Sequence, residues 1–197
     1  MMGWLVLFII CLIVFFAWIK HITKDIETGT AQKIKDKVEH FNFSRERYTF
    51  GVGTNILIGI DEPNQKIIVA SMTNQIYINF SDILESEIIQ DDISISKTSR
   101  SSQIGGAVAG GLLAGGVGAI VGGLSGKTES TTRIKKLNLK IVVDSLSQPV
   151  IYMPFLSELS PLPKEQKRVA QAIEDIQHWH SLLSVVINRN NKVVKEG

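Results

Sequence analysis

Residues Ile104–Leu124 read IGGAVAGGLLAGGVGAIVGGL, an uncharged run set between two strand-forming halves of the chain. Small residues recur in it every four positions. Gly106, Gly110, Ala114, Gly118 and Gly122 form one row, and Ala107, Gly111, Gly115, Ala119 and Gly123 form the row beside it. Wound as a helix, these rows make one smooth strip, while Ile104, Val108, Leu112, Leu113, Val117, Ile120 and Val121 make the greasy opposite side. The run holds nine glycines, and each costs about 1 kcal/mol relative to alanine in a water-exposed helix, which rules out a stable isolated soluble helix. In lipid the backbone must satisfy itself internally, and small-xxx-small rows let helices approach closely. A flexible linker would instead be polar and rich in Gly and Ser. The run is therefore expected to insert into a membrane or to pack helices, with its glycine rows as the candidate packing site.

A second apolar run lies at the N-terminus, Gly3–Ile19. With Met1 and Met2 it approaches the ~20 residues that span a bilayer core, and Trp4 and Trp18 sit near its ends, where interfacial aromatics belong. No basic residue precedes it and no Ala-x-Ala-like site follows, so an uncleaved anchor is expected rather than a signal peptide. Lys20, Lys24, Lys33, Lys35 and Lys37 follow the run, and positive flanks stay in the cytoplasm. Trp4, Trp18 and Lys20 are the expected anchor residues, at the inner (plasma) membrane, with most of the chain cytoplasmic. Ile26, Ala31, Ile34, Val38 and Phe41 then fall at near-helical spacing, predicting a juxtamembrane amphipathic helix broken or capped near Thr28-Gly29-Thr30.

From Tyr48 the pattern changes to short β-branched runs separated by turns. Asn55–Ile60 and Lys66–Ala70 flank Asp61-Glu62-Pro63-Asn64 and read as a hairpin. Gln75–Phe80, Ile83-Leu84, Ile88-Ile89 and Ile93–Ile95 continue the series, for three to five antiparallel strands before the glycine segment. After it, Thr131–Val143 alternates apolar and polar residues as a half-buried strand does, and Pro149–Phe155 follows a turn at residues 144–147. Pro161 and Pro163 mark a helix start, and Val169, Ala172, Ile173, Ile176, Trp179, Leu183 and Ile187 make an amphipathic helix of about six turns. The expected organisation is an anchor (1–20), a juxtamembrane helix or linker (21–44), a first half-sheet (45–98), the glycine segment (99–130), a second half-sheet with the helix (131–188) and a tail (189–197).

This order of strands closed by one C-terminal helix, together with Ile78-Asn79-Phe80-Ser81-Asp82-Ile83-Leu84, resembles the pleckstrin-homology-like domains, over about residues 45–188. The resemblance implies an α+β fold, an antiparallel sheet or partial barrel capped by the C-terminal helix, and a scaffold for binding lipids, peptides or other domains. Here the sheet is interrupted by the glycine segment. If the flanking strands share one sheet, that segment cannot cross a membrane once, and a re-entrant or protein-buried helical hairpin bending near Gly115-Gly116 is expected, with a single full span as the alternative. Each arm, about 15 Å of helix, would reach half-way across a ~30 Å core.

Motifs for chemistry are lacking. Gly126-Lys127-Thr128 ends like a phosphate-binding loop, but the first glycine of that motif would fall on Val121. His178 and His180 are two apart on a helix and do not share a face, so no metal pair is expected, and His180 is placed at the margin of a core around Trp179. Asp82, Glu85, Glu87, Asp91 and Asp92 read as solvated charges. Cys11 is alone and lies in an apolar run, which excludes an intramolecular disulfide, and a formal net charge of +2 gives no argument for nucleic acid. No catalytic residue, metal or cofactor is expected. The function so implied is non-enzymatic interaction or sensing at a bacterial inner membrane, in envelope stress or defence against foreign elements. Its partners would be the bilayer, further copies of the chain, and a cytoplasmic protein or lipid. The alternative is a pore assembled through the glycine rows.

Overall fold

The computed structural model describes residues 2–38, 47–100 and 133–196, with backbone alone for several residues of the first helix and for 192–196. The chain divides into two compact units, Met1–His40 and Phe41–Gly197.

The first unit is one helix, α1 (Met2–Lys37). The break expected at Thr28-Gly29-Thr30 does not occur, because a single helical glycine costs only about 1 kcal/mol and nothing lies within 4 Å of a Cβ placed on Gly29. Toward its C-terminal end Gln32, Lys33, Asp36 and Lys37 are exposed, and the Ala31, Ile34 and Val38 side is withdrawn from solvent, while the side chains of Ile26 and Phe41, expected in the same row, lie outside the described residues. In its first half every side chain described from Phe8 to Ile19 is exposed, Trp18 to 60%. These apolar residues cover about 18 Å of helix rise. Among the described residues no helix is long and apolar enough to cross a membrane.

The described residues of the second unit form two four-stranded antiparallel sheets and one long helix. The first sheet follows the chain in order: β1 (Tyr48–Phe50), β2 (Ile56–Asp61), β3 (Lys66–Ser71) and β4 (Gln75–Asn79). The β2–β3 hairpin is set by its turn residues. Asp61 accepts from the backbone N–H of Asn64 at 3.2 Å and from Asn64 Nδ2 at 2.8 Å, and Gln65 takes a positive φ of 52°. A 3-10 turn, Phe80–Asp82, leads into the second sheet.

That sheet is built from β5 (Ile83–Gln90), β6 (Ile93–Ser99), β7 (Arg133–Val143) and β8 (Val150–Pro163), in the order β6-β5-β7-β8. Its inner face carries Ile88, Leu137, Leu139, Ile141, Ile151, Met153 and Phe155, all buried. The helix α2 (Lys167–Glu196) covers this face with Val169, Ala172, Ile173, Ile176, Trp179, Leu183, Val186 and Ile187. The sequence spacing anticipated this stripe, and burial of each large side chain contributes roughly 1.5–3 kcal/mol.

Three expectations are corrected. Among the described residues six strands, not three to five, precede the glycine segment, because Tyr48–Phe50 pairs with β2 as a strand of its own. Ile83-Leu84 and Ile88-Ile89 belong to one strand, β5, whose register shifts obscure its alternation. The prolines near 161 do not start a helix. β8 runs through Pro154, Pro161 and Pro163 because it is an edge strand, where a missing N–H need not break a ladder, and α2 begins only at Lys167 and runs about eight turns. The hairpin expected within 104–124 lies outside the described residues.

The two sheets meet where the chain leaves β1. Val52 N–H donates to Phe155 O at 2.8 Å and Val52 forms a parallel bridge to Leu156, which joins the first sheet to the edge of the second. Only glycine fits beside that junction, since a Cβ on Gly51 would sit 1.9 Å from Pro154 O and 2.5 Å from Thr54 Oγ1. Gly51→Ala is expected to destabilise the domain by about 1–3 kcal/mol through forced backbone displacement. Urea unfolding of the full chain in detergent tests this, with Gly29→Ala as a control that leaves the domain's midpoint unchanged.

Candidate functional site

Three features of the second unit could do work: a buried polar cluster under α2, a charged row on the outer face of the second sheet, and the points at which chain segments leave that sheet.

The buried cluster centres on His180, which is fully excluded from solvent rather than at the core margin. In register, Ser86 on β5 pairs with Thr98 on β6, and Ile88 with Ser96, so three hydroxyls line up on the face that α2 covers. His180 Nδ1 lies 2.8 Å from Ser86 Oγ, and Nε2 lies 3.3 Å from Ser96 Oγ and 3.5 Å from Thr98 Oγ1. One helical turn on, Ser184 Oγ donates to His180 O at 2.8 Å and lies 2.9 Å from Thr98 Oγ1. Both ring nitrogens have hydroxyl partners, so the imidazole is accommodated neutral. Burial lowers its pKa from 6.5 to about 4. A serine against a histidine suggests nucleophilic chemistry, but Ser86 and His180 are both fully buried beneath α2. The cluster fixes where α2 sits. Sequence reading missed it because the alternating Ser and Thr of β6 look like a solvent face.

On the opposite face, Glu87 stands directly across from Lys140, and their side chains meet at 2.8 Å. Lys97 pairs with Glu85 at 2.9 Å, and Lys140 lies 3.9 Å from Glu85. Burial pushes the Glu87 pKa up, but hydrogen bonds from Lys140 and Ser94 and the charges of Lys140 and Lys97 outweigh it, so the carboxylate is held below its usual range. The hydrogen bond to Glu87 raises Lys140 in turn. Glu85 and Glu87 are thus paired strand residues, not the solvated loop charges expected. Asp91 is also engaged: at positive φ in the β5–β6 turn, its Oδ1 accepts from the backbone N–H of Lys135 at 3.1 Å and of Lys136 at 2.8 Å. A shallow depression beside it is lined by Asp91, Asp92, Arg133, Lys135, Lys136 and Pro161. No group of three or more potential metal ligands occurs among the described residues.

The third feature concerns the glycine segment. β6 and β7 lie on the two sides of β5 and both pair with it, so the residues that bound 101–132 are held in one sheet. Ser99 pairs with Glu85 near the start of β5, whereas Leu137 pairs with Gln90 at its end and Arg133 lies further along still. The two attachment points are therefore about nine strand residues apart, roughly 30 Å. The predicted packing residues Gly106, Gly110, Gly111, Ala114, Gly115, Gly118, Gly122 and Gly123 lie outside the described residues, as do the side chains of Trp4 and Lys20.

Two short sheets joined at one corner, with a long C-terminal helix over the second, are the architecture of a pleckstrin-homology-like domain. The family described as the glycine zipper containing PH domain matches residues 43–157, more than half of the chain, and the chain belongs to it. It is 39% identical over 125 residues to a protein of Bacillus phage SPbeta named an immunity protein, covering 60% of each chain. It is 33% identical over 125 residues to the SPbeta prophage-derived uncharacterized membrane protein YomJ of Bacillus subtilis strain 168, covering 60% of this chain and 53% of that one. The matched part spans between half and three-fifths of these relatives' length. No solved structure matches the chain.

The buried imidazole makes stability depend on pH. The folded-state value near 4 lies below the ordinary 6.5, so the unfolded chain takes up the proton first. The contribution is complete above about pH 6.5 and is lost as the pH falls toward 4, a change of up to about 3 kcal/mol. Urea midpoints of the full chain should fall across this window, and His180→Asn should flatten that part of the profile.

Proposed function

We propose that this protein is a non-enzymatic, membrane-anchored immunity factor of the cell that carries it. Its PH-like domain lies in the cytoplasm, and its glycine segment enters the inner membrane and associates with copies of itself. The observation that carries this reading is the pairing of β6 and β7 with the same strand, β5. A segment whose two ends are fixed in one folded sheet has both ends on one side of any bilayer. An apolar, glycine-rowed run inserted at that place must therefore enter and return on the same side. The anchor rests on the uninterrupted apolar run Gly3–Ile19, within a helix that begins at Met2, and on the exposure of Phe8–Ile19. The membrane setting is supported by the relative named a membrane protein, and the immunity role by the relative named an immunity protein. The protein ligand or lipid that the domain recognises would be met on the cytoplasmic side.

Topology and protection test the two halves of this reading. Single cysteines at Ser94 and Ser147, in a Cys11→Ser background, should react with an impermeant thiol reagent only after cells are opened. Labelling of Ser147 from outside would overturn the same-side arrangement. Cells producing the chain should yield fewer plaques of an SPbeta-like phage than cells without it. Gly110→Leu with Gly118→Leu should lose that protection together with cross-linked oligomers. An ion leak on expression that this double variant abolishes would overturn the reading in favour of a pore.

A further inference from the structure

The second unit has two poles, defined by the strand ends of the second sheet, and the chain uses them unequally. At one pole lie the starts of β5 and the ends of β6 and β7; at the other lie Arg133, the β5–β6 turn and the start of α2. Four separate observations fall at the first pole. The domain begins there: Arg47, next to β1, pairs at 3.1 Å with Glu62 in the β2–β3 turn, which adjoins the 3-10 turn through the Phe80 N–H to Gln65 O bond of 2.8 Å. The glycine segment departs there, since Arg100 N–H is held by Leu84 O at 3.0 Å and its guanidinium by Ser81 O. α2 ends there, with Asn190 Nδ2 donating to Phe80 O and the helix running on through Glu196. The β7–β8 turn is there too, because Asp144 N–H donates to Asp82 O at 2.8 Å and Val143 N–H to Pro149 O at 2.9 Å. At the tip of that turn Leu146 has no cover at all, with a relative exposure of 106%.

The lengths of the polar flanks decide which pole faces the membrane. Only Ser101-Ser102-Gln103 separate Arg100 from Ile104, a reach of about 10–14 Å even when extended. On the other side Ser125–Thr132 supply eight residues before Arg133, enough to span about 26–29 Å, close to the distance between the poles. A short tether at one pole and a long one at the other place the first pole against the layer that the apolar run enters.

We propose that this pole rests on the bilayer surface and that Leu146 is a lipid-inserted tip. The proposal rests on the reading that residues 104–124 enter the membrane, and it assigns a contact that the reading leaves open. An uncovered leucine on a tight turn loses nothing by entering the headgroup boundary, where its apolar area leaves water. Of the acidic groups at this pole, Glu62 is paired with Arg47, and Asp82 accepts from Asn79 Nδ2 and Ser81 Oγ, both at 2.8 Å. Asp144, exposed at the base of the turn, keeps the contact shallow. Leu159 provides the internal contrast, since it is 97% exposed but lies in β8 between the partners of Lys136 and Ile134, at the opposite pole.

The test uses the full chain, Cys11→Ser, reconstituted in phosphatidylglycerol and phosphatidylethanolamine vesicles. An environment-sensitive fluorophore is attached in turn to Leu146→Cys, Leu159→Cys and Leu113→Cys. The expected result is a blue-shifted emission, quenched by shallow spin-labelled lipid, at position 146 and a water-like emission at 159. A water-like signal at 146 overturns the proposal, as does a lipid-like signal at 159 with none at 146. Position 113 separates this failure from that of the underlying reading: a lipid-like 113 with a water-like 146 sinks only the tip. A water-like 113 with a water-like 146 sinks both. A water-like 113 with a lipid-like 146 supports the tip while overturning insertion of the glycine segment.

Discussion

The structure depends on β5 having both of its backbone edges occupied. One edge takes β6, its hairpin partner, and the other takes β7, which arrives only after the glycine segment. Buried N–H and C=O groups must be paired, so an unfilled β5 edge would leave a row of donors and acceptors open and the inner face of the sheet incomplete. β8 can then pair only with β7, and α2 has its full apolar floor only when β5 to β8 are together. Formation of the second half of the domain is thus tied to return of the chain across 101–132.

The polar cluster under α2 gives that floor a register. An amphipathic stripe of Val, Ile and Leu tolerates sliding, because one aliphatic contact substitutes for another. A buried imidazole does not, since each nitrogen left unpaired costs about 1–3 kcal/mol. His180 meets Ser86 from β5 and Ser96 and Thr98 from β6, so the helix is located against the two strands that precede the insertion. The outer-face pair Glu87–Lys140 then ties β5 to the strand that follows it.

Much of this was legible in the residues. The β2–β3 hairpin, the turn at 144–147 and the apolar stripe of α2 each carry a local signal, in Pro63-Asn64, in Asp144-Ser145 and in the three- and four-residue steps from Val169 to Ile187. The PH-like class followed from element order. What could not be read was set by neighbours distant in sequence. Proline in β8 looked like a helix start because edge position is a tertiary fact. Ser96 and Thr98 looked solvated because the helix that partly covers them lies more than 80 residues away in the chain. Register shifts split β5 into two apparent strands, and Gly51 carries no sequence mark of the carbonyl pressed against it.

An insertion of this kind sits where the domain can best accommodate it. Lengthening the connection from the roughly nine residues that would just bridge the distance between the two attachment points to the 33 residues between Ser99 and Arg133 raises the loop-closure cost only logarithmically, by about 1 kcal/mol. β6 is an edge strand, so a segment leaving its end displaces no neighbour. The hairpin of β5 and β6 can form before the insertion is placed, whereas β7 cannot find its edge until the segment has come back. Seating the segment in a bilayer on the domain's own side would restrict the positions open to the returning chain and lower that remaining entropy. Membrane insertion and completion of the sheet would then favour one another, and a domain split at this connection would be most stable where its glycine segment is already seated in lipid.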